Sequence, residues 1–129
     1  MYEWKHTSTT VNRRQARKME KAAKILDMSV GKLARLELNW LEPNVLGPKS
    51  MQTGESIALE RIINTNRTDN MVRVPVFLDD STLEWVNEIR YCTTLRLCNL
   101  LRLANFYILP VTGQIKKSSL QRTLGLIDK

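Results

Sequence analysis

The clearest pattern along the chain is an alternation. Val72, Val74, Val76 and Leu78 alternate with Arg73, Pro75 and Phe77, a period-two pattern that predicts a short strand with one apolar face. Pro75 cannot donate a ladder hydrogen bond, so it fits only where that donor would face away from a partner strand. Asp79, Asp80 and Ser81 are helix-capping types, and Ser81 with Glu84 fits a capping box. Leu83, Val86 and Ile89 then recur at helical spacing. Past a turn near Cys92, residues 95–109 predict a second helix that Pro110 stops.

The same order occurs earlier in the chain. Thr7, Thr9 and Val11 alternate with His6, Ser8 and Thr10 as a β-branched strand. Asn12 caps a helix whose inward face is Ala16, Met19, Ala22, Ala23 and Leu26. Asp27, Met28 and Ser29 make a turn, and a second helix over 30–41 carries Leu33, Leu36, Trp40 and Leu41, with Pro43 ending it. Shifted by 67 residues, 4–43 lies on 71–110 without a gap. Leu33 then meets Leu100, Arg35 meets Arg102, Leu36 meets Leu103 and Pro43 meets Pro110; Trp40 falls on Tyr107. The order of local structure is the stronger sign of duplication, since so few identities can arise by chance. The reading divides the chain into a first copy (1–43), a connector (44–70), a second copy (71–110) and a tail (111–129). The connector has loop residues, with one short helix expected over 54–65, and the tail is weak helix or loose chain with no chemistry assigned.

Strand, helix, turn, helix in about 40 residues resembles the ribbon-helix-helix family of DNA-binding proteins. The residues that carry the resemblance are Val74 to Leu78, then Asp79, Asp80 and Ser81, then Leu83, Val86 and Ile89. In the first copy they are Met28, Ser29, Val30, Gly31, Lys32, Leu33, Ala34 and Arg35. The single-chain, two-copy form is similar to tandem accessory proteins of conjugative-plasmid relaxosomes. The resemblance implies a mostly α fold with a short two-stranded antiparallel ribbon, the two repeats forming one pseudo-dimeric domain. It also implies that the ribbon enters the major groove of double-stranded DNA.

On that arrangement His6, Ser8, Thr10, Arg73 and Phe77 face the bases. Arg73 is the leading reader, because a guanidinium can bond guanine O6 and N7 together. For His6, an ordinary solvent-facing strand position is the competing reading. Phe77 and Pro75 depart from the polar groove face usual in the family: either they contact thymine methyls or the second strand reads little. Phosphate contacts are expected from Lys5, from Arg13 and Arg14, and from the starts of the second helices, at Ser29, Val30 and Lys32 and at Leu95 and Arg96. Two cations at a helix N-terminus are misplaced unless an anion is present. The copies differ enough that the DNA site is expected to be asymmetric or imperfectly repeated.

Charge agrees with a polyanionic partner. There are 20 Lys and Arg against 13 Asp and Glu, a net charge of +7, and the pI is near 9.7. Arg13, Arg14, Arg17, Lys18, Lys21 and Lys24 stand against Glu20 alone; either a phosphate-binding surface or a solvated helix face accounts for them. No signal peptide, membrane span or lipidation motif is read, so a cytoplasmic protein associated with a nucleoid or plasmid is expected, with Cys92 and Cys98 reduced. One histidine and two cysteines give no metal centre, and no phosphate loop or nucleophile elbow occurs, so the reading is a non-enzyme without cofactor or small-molecule substrate. The apolar second helix of the second copy is a core helix by default; self-association of molecules on adjacent sites is the sharper alternative. The competing class of function is an antitoxin-like or scaffold module whose chief partner is a protein.

Overall fold

β1 (Lys5–Asn12) and β2 (Met71–Leu78) pair antiparallel, with Lys5 opposite Leu78, Ser8 opposite Pro75 and Asn12 opposite Met71. The computed structural model describes residues 5–44, 71–92, 95–109 and 114–126. The helix expected over 54–65, and Pro110, lie outside them. Among the described residues the fold is mostly helical, with this one two-stranded sheet. The alternation read from the sequence sets its faces: Thr9, Val11, Val74, Val76 and Leu78 are buried and Val72 is half-buried. Thr7, expected to face inward, is exposed, which keeps its hydroxyl hydrated, whereas burying it would cost free energy unless paired.

Local chemistry explains each helix boundary. Asn12 Oδ1 accepts from the Gln15 backbone N–H at 2.7 Å and opens α1 (Arg13–Ile25). α1 closes with Met28 N–H donating to the Ala23 carbonyl at 3.0 Å and Asp27 N–H to Lys24 at 3.2 Å, with Asp27 at φ 56°. That pair of bonds about a left-handed residue is a Schellman ending, with aspartate where glycine is usual. Ser29 Oγ accepts from Lys32 N–H at 3.2 Å and opens α2 (Val30–Asn44). Pro43 does not stop α2 as expected but sits inside its last turn, where the Asn44 side chain donates to the Trp40 carbonyl at 2.8 Å and satisfies a terminal acceptor.

α3 (Asp80–Cys92) is capped by Asp79, whose Oδ1 accepts from Thr82 N–H at 2.8 Å. Of the three capping types read there, Asp79 is the one that caps, its anion facing the positive end of the helix dipole; Ser81, expected to open a capping box with Glu84, lies inside the helix. α4 (Leu97–Ile108) starts two residues later than the expected Leu95. Leu95 is buried, and Asn99 Oδ1 accepts from Arg96 N–H at 3.0 Å. The tail contains α5 (Lys117–Thr123), which buries Leu120 and ends on Gly125 at φ 70°.

The core joins the two segments. Met19, Leu33, Leu38 and Leu41 are fully buried with Leu100, Leu101 and Leu103, and α2 packs on both β2 and α4. Each such leucine contributes roughly 1.5–3 kcal/mol by leaving water. Within this apolar core lies a polar chain. Gln15 Nε2 donates to the Arg102 carbonyl at 3.4 Å; Asn105 Nδ2 lies 3.4 Å from Gln15 Oε1 and 3.3 Å from Met19 Sδ. The other terminal atom of the Asn105 amide is 2.6 Å from Glu37 Oε2.

Glu37 is fully buried, and desolvation pushes its carboxyl well above the ordinary carboxylate range. Turning the Asn105 amide would have it donate to a charged Glu37 at the same distance, giving up both contacts of its nitrogen. A neutral Glu37 donating to Asn105 Oδ1 keeps them all. A separation of 2.6 Å also suits O–H···O better than N–H···O. We therefore assign Glu37 as the neutral acid.

With its folded pKa raised, Glu37 contributes stability that is full below about pH 4.5, its ordinary value, and lost as pH rises through the raised pKa. Glu37→Gln preserves a donor without the proton. In urea denaturation across pH, wild type is expected to lose stability relative to Glu37→Gln at up to about 1.4 kcal/mol per pH unit. A pH-independent difference between the two proteins would show that Glu37 does not titrate in this way.

Candidate nucleic-acid interface

Strand alternation sends Ser8 and Thr10 to the face of the ribbon opposite the core, with Arg73, Pro75 and Phe77 across from them. The register makes Thr10 the partner of Arg73 and Ser8 the partner of Pro75. Arg73 is exposed, and its Nη1 donates to the exposed Ser8 Oγ at 3.1 Å. Ser8, Thr10 and Arg73 thus form one polar cluster, with Thr10 half-buried. The Ser8 bond holds the guanidinium diagonally across the ribbon while leaving other N–H donors on the fork.

The other end of the ribbon differs. His6 stands opposite Phe77; the side chains of His6 and Lys5 lie outside the described residues. Phe77 is half-buried, and its ring lies against Gly31 in the first turn of α2. A Cβ at Gly31 would come within 2.7 Å of Phe77 Cδ1 and Cε1. Phe77 therefore reaches the outer face as expected, but much of its ring is committed to packing between ribbon and helix.

The expected phosphate contacts have mixed placements. Arg13 and Arg14 are exposed at the start of α1, whose first turn holds no acid. Arg17, Lys21 and Lys24 are exposed further along the helix. Partial desolvation, and then the neighbouring Arg14 charge, hold the Lys18 ammonium below its usual pKa, which marks the crowding of like charge there. Ser29 and Lys32 are exposed and Val30 half-buried at the start of α2; Arg96 is exposed before α4, whereas Leu95 belongs to the core. The N–H groups of Lys32 and Arg96 already serve the Ser29 and Asn99 caps, so what these two residues themselves offer an anion is their exposed side chains. Acidic side chains gather elsewhere, with Glu42, Asp79, Glu84 and Glu88 lining a groove beside Trp85.

Sequence reasoning missed Gly31, Glu37 and Asn105. A glycine within a helical pattern is a signal of close approach. Glu37 was marked by its place between Leu33, Ala34, Leu38 and Leu41 on the apolar side of α2. Asn105 is only 2% exposed, although an asparagine on a helix reads as solvent-facing by default.

No protein-family model, curated protein or solved structure matches the chain. Among the described residues no helix is long and apolar enough to cross a membrane. Nor do they contain a group of three His, Cys, Asp or Glu residues suited to a metal ion.

Gly31→Ala is expected to lower unfolding stability by roughly 1–3 kcal/mol, the usual range for overpacking, because the new methyl enters the Phe77 ring. Phe77→Ala in the same chain should recover a large part of that loss in urea denaturation, as for two residues in direct contact. Additive losses would mean that the ring does not constrain Gly31.

Proposed function

We infer that this chain is a two-copy ribbon-helix-helix protein that binds double-stranded DNA sequence-specifically, with the β1–β2 ribbon in the major groove. The observation that carries this reading is the register. The register pairs Ser8 with Pro75, the two positions that the 67-residue shift makes equivalent, and sets the pairs on either side of them in mutually equivalent places. An antiparallel pair centred on equivalent residues is what a two-fold relation between duplicated halves requires. Trp40 and Tyr107, equivalent by the same shift, support it by meeting with ring centroids 6.2 Å apart.

The outer face supplies the chemistry of this reading. Arg73, steadied by Ser8, reads a purine edge, with Thr10 beside it. His6 and the exposed part of Phe77 meet the bases at the other end. Arg13, Arg14, Lys32 and Arg96 bind phosphates, which fixes orientation and gives affinity without sequence information. The role is that of a transcriptional regulator or a relaxosome-like accessory factor. A second reading, a protein-interaction module, draws on Phe106 and Tyr107, which are 40% and 45% exposed at the end of α4.

Selection from genomic and plasmid fragments at about 0.15 M salt should enrich one motif. Arg73→Ala should weaken that motif by about 1–3 kcal/mol and relax it at one base pair. Arg13→Ala and Arg14→Ala should instead weaken all sequences alike and reduce the salt dependence of binding by about one unit of slope each. Absence of any enrichment over random DNA would overturn the specific-binder reading in favour of the protein-interaction module.

A further inference from the structure

If the two halves are related by the two-fold that the ribbon register suggests, every contact between them has a symmetry mate. The mates here are unlike. Glu37 meets Asn105 in the core, and the 67-residue shift turns that pair into Ala104 and Leu38, both fully buried and apolar. Phe77 sits on Gly31; its mate is Thr10 with Cys98. Arg35 is 3.8 Å from Asp79, whereas the equivalent positions are Arg102 and Asn12.

These differences decide what happens if a half meets its own counterpart in a second molecule. Two first halves would set each Glu37 carboxyl against a Leu38, leaving two buried acids without the amide that now receives them. Two second halves would set a Cys98 Cβ where Gly31 now leaves space, within about the same 2.7 Å of a Phe77 ring, and would face Asn105 with Ala104. Only first half against second half satisfies both the buried carboxyl and the ring.

We propose that the Glu37–Asn105 and Phe77–Gly31 contacts form a pairing code that makes the two halves complementary to each other and incompatible with themselves. The partner that each half accepts is therefore the other half, and a single chain forms the complete ribbon. This rests on the two-fold reading given under the proposed function, but not on DNA binding. It is specificity by exclusion: an unpaired buried acid and a steric overlap penalise the wrong partner.

The ribbon itself offers the readout. In the native pairing Ser8 faces Pro75; in a pair of first halves, Ser8 would face the Ser8 of the other molecule. The full chain carrying Ser8→Cys, with Cys92→Ser and Cys98→Ser, is refolded from denaturant at low and high concentration and treated with a short bis-maleimide. The parent chain should give almost no cross-linked dimer. Glu37→Ala, which removes the buried acid from a pair of first halves, should raise the dimer. Asn105→Leu weakens the native contact but leaves both acids in place in the wrong pair. Glu37→Ala should therefore give at least about tenfold more dimer than Asn105→Leu, the factor set by one unsatisfied buried group. Equal yields from the two variants, or no rise with Glu37→Ala, would overturn the code. Ser8→Cys with Pro75→Cys in the same chain tests the register separately. An intramolecular cross-link is expected, and its absence would overturn the two-fold reading and this inference with it.

Discussion

The pairing of β1 with β2 is the contact on which the rest of the architecture depends. A two-stranded ribbon is marginal by itself in water, and the strands here lie far apart in sequence, so closing them carries a chain-entropy cost before any contact is made. What offsets that cost is the inner face. Val11, Val74, Val76 and Leu78 are buried only because α2 lies on β2 and α4 contacts β1. The second helix of each segment thus packs on the strand of the other. Ribbon and helical core therefore form together, and neither segment holds a complete core.

The ribbon was legible because its side-chain period is two and one of its faces is buried. A one-residue slip would send Val74, Val76 and Leu78 to solvent, so the apolar positions of β2 fixed its faces in advance. Asn12 was legible as a cap and Ala16, Met19, Ala22, Ala23 and Leu26 as a helix face; the first four are buried, while Leu26 is the half-buried C-cap just past the helix. Helix ends were less legible, because each depends on which of several neighbouring polar groups reaches the free N–H groups first. Of three adjacent capping types it is Asp79 that caps, not the Ser81 of the expected capping box, and Pro43 is accommodated in a final turn beside Asn44 rather than excluded.

The outer face of the ribbon was legible as a set of positions but not as a set of available groups. Alternation places Arg73 and Phe77 on the same side, and says nothing about what each touches. In the fold the Arg73 guanidinium is steadied by Ser8 while the Phe77 ring covers Gly31. Both contacts join residues distant in sequence, so they appear only once helices and strands are assembled. The buried polar chain through Gln15, Asn105 and Glu37 was hidden for a related reason. Polar letters on helices are read as solvent-facing by default, and only the packing of α1 and α2 on α4 shows that these close on one another.

The unlike ends of the ribbon bear on how such a protein would meet DNA. A two-fold homodimer presents the same residues to both half-sites and binds equally well in either direction. Here the positions related by the 67-residue shift are His6 with Arg73 and Thr10 with Phe77, a different chemistry at each end. One end offers several hydrogen-bond donors held by Arg73 and Ser8; the other offers an aromatic ring half-withdrawn into packing. On the proposed function the chain would lie on its site in one orientation. Any second protein it positions would then also face one way along the duplex. On the proposed two-copy reading that polarity would follow from joining divergent copies in one chain: a core accepting only unlike halves would let the two ends of the ribbon differ without losing their pairing.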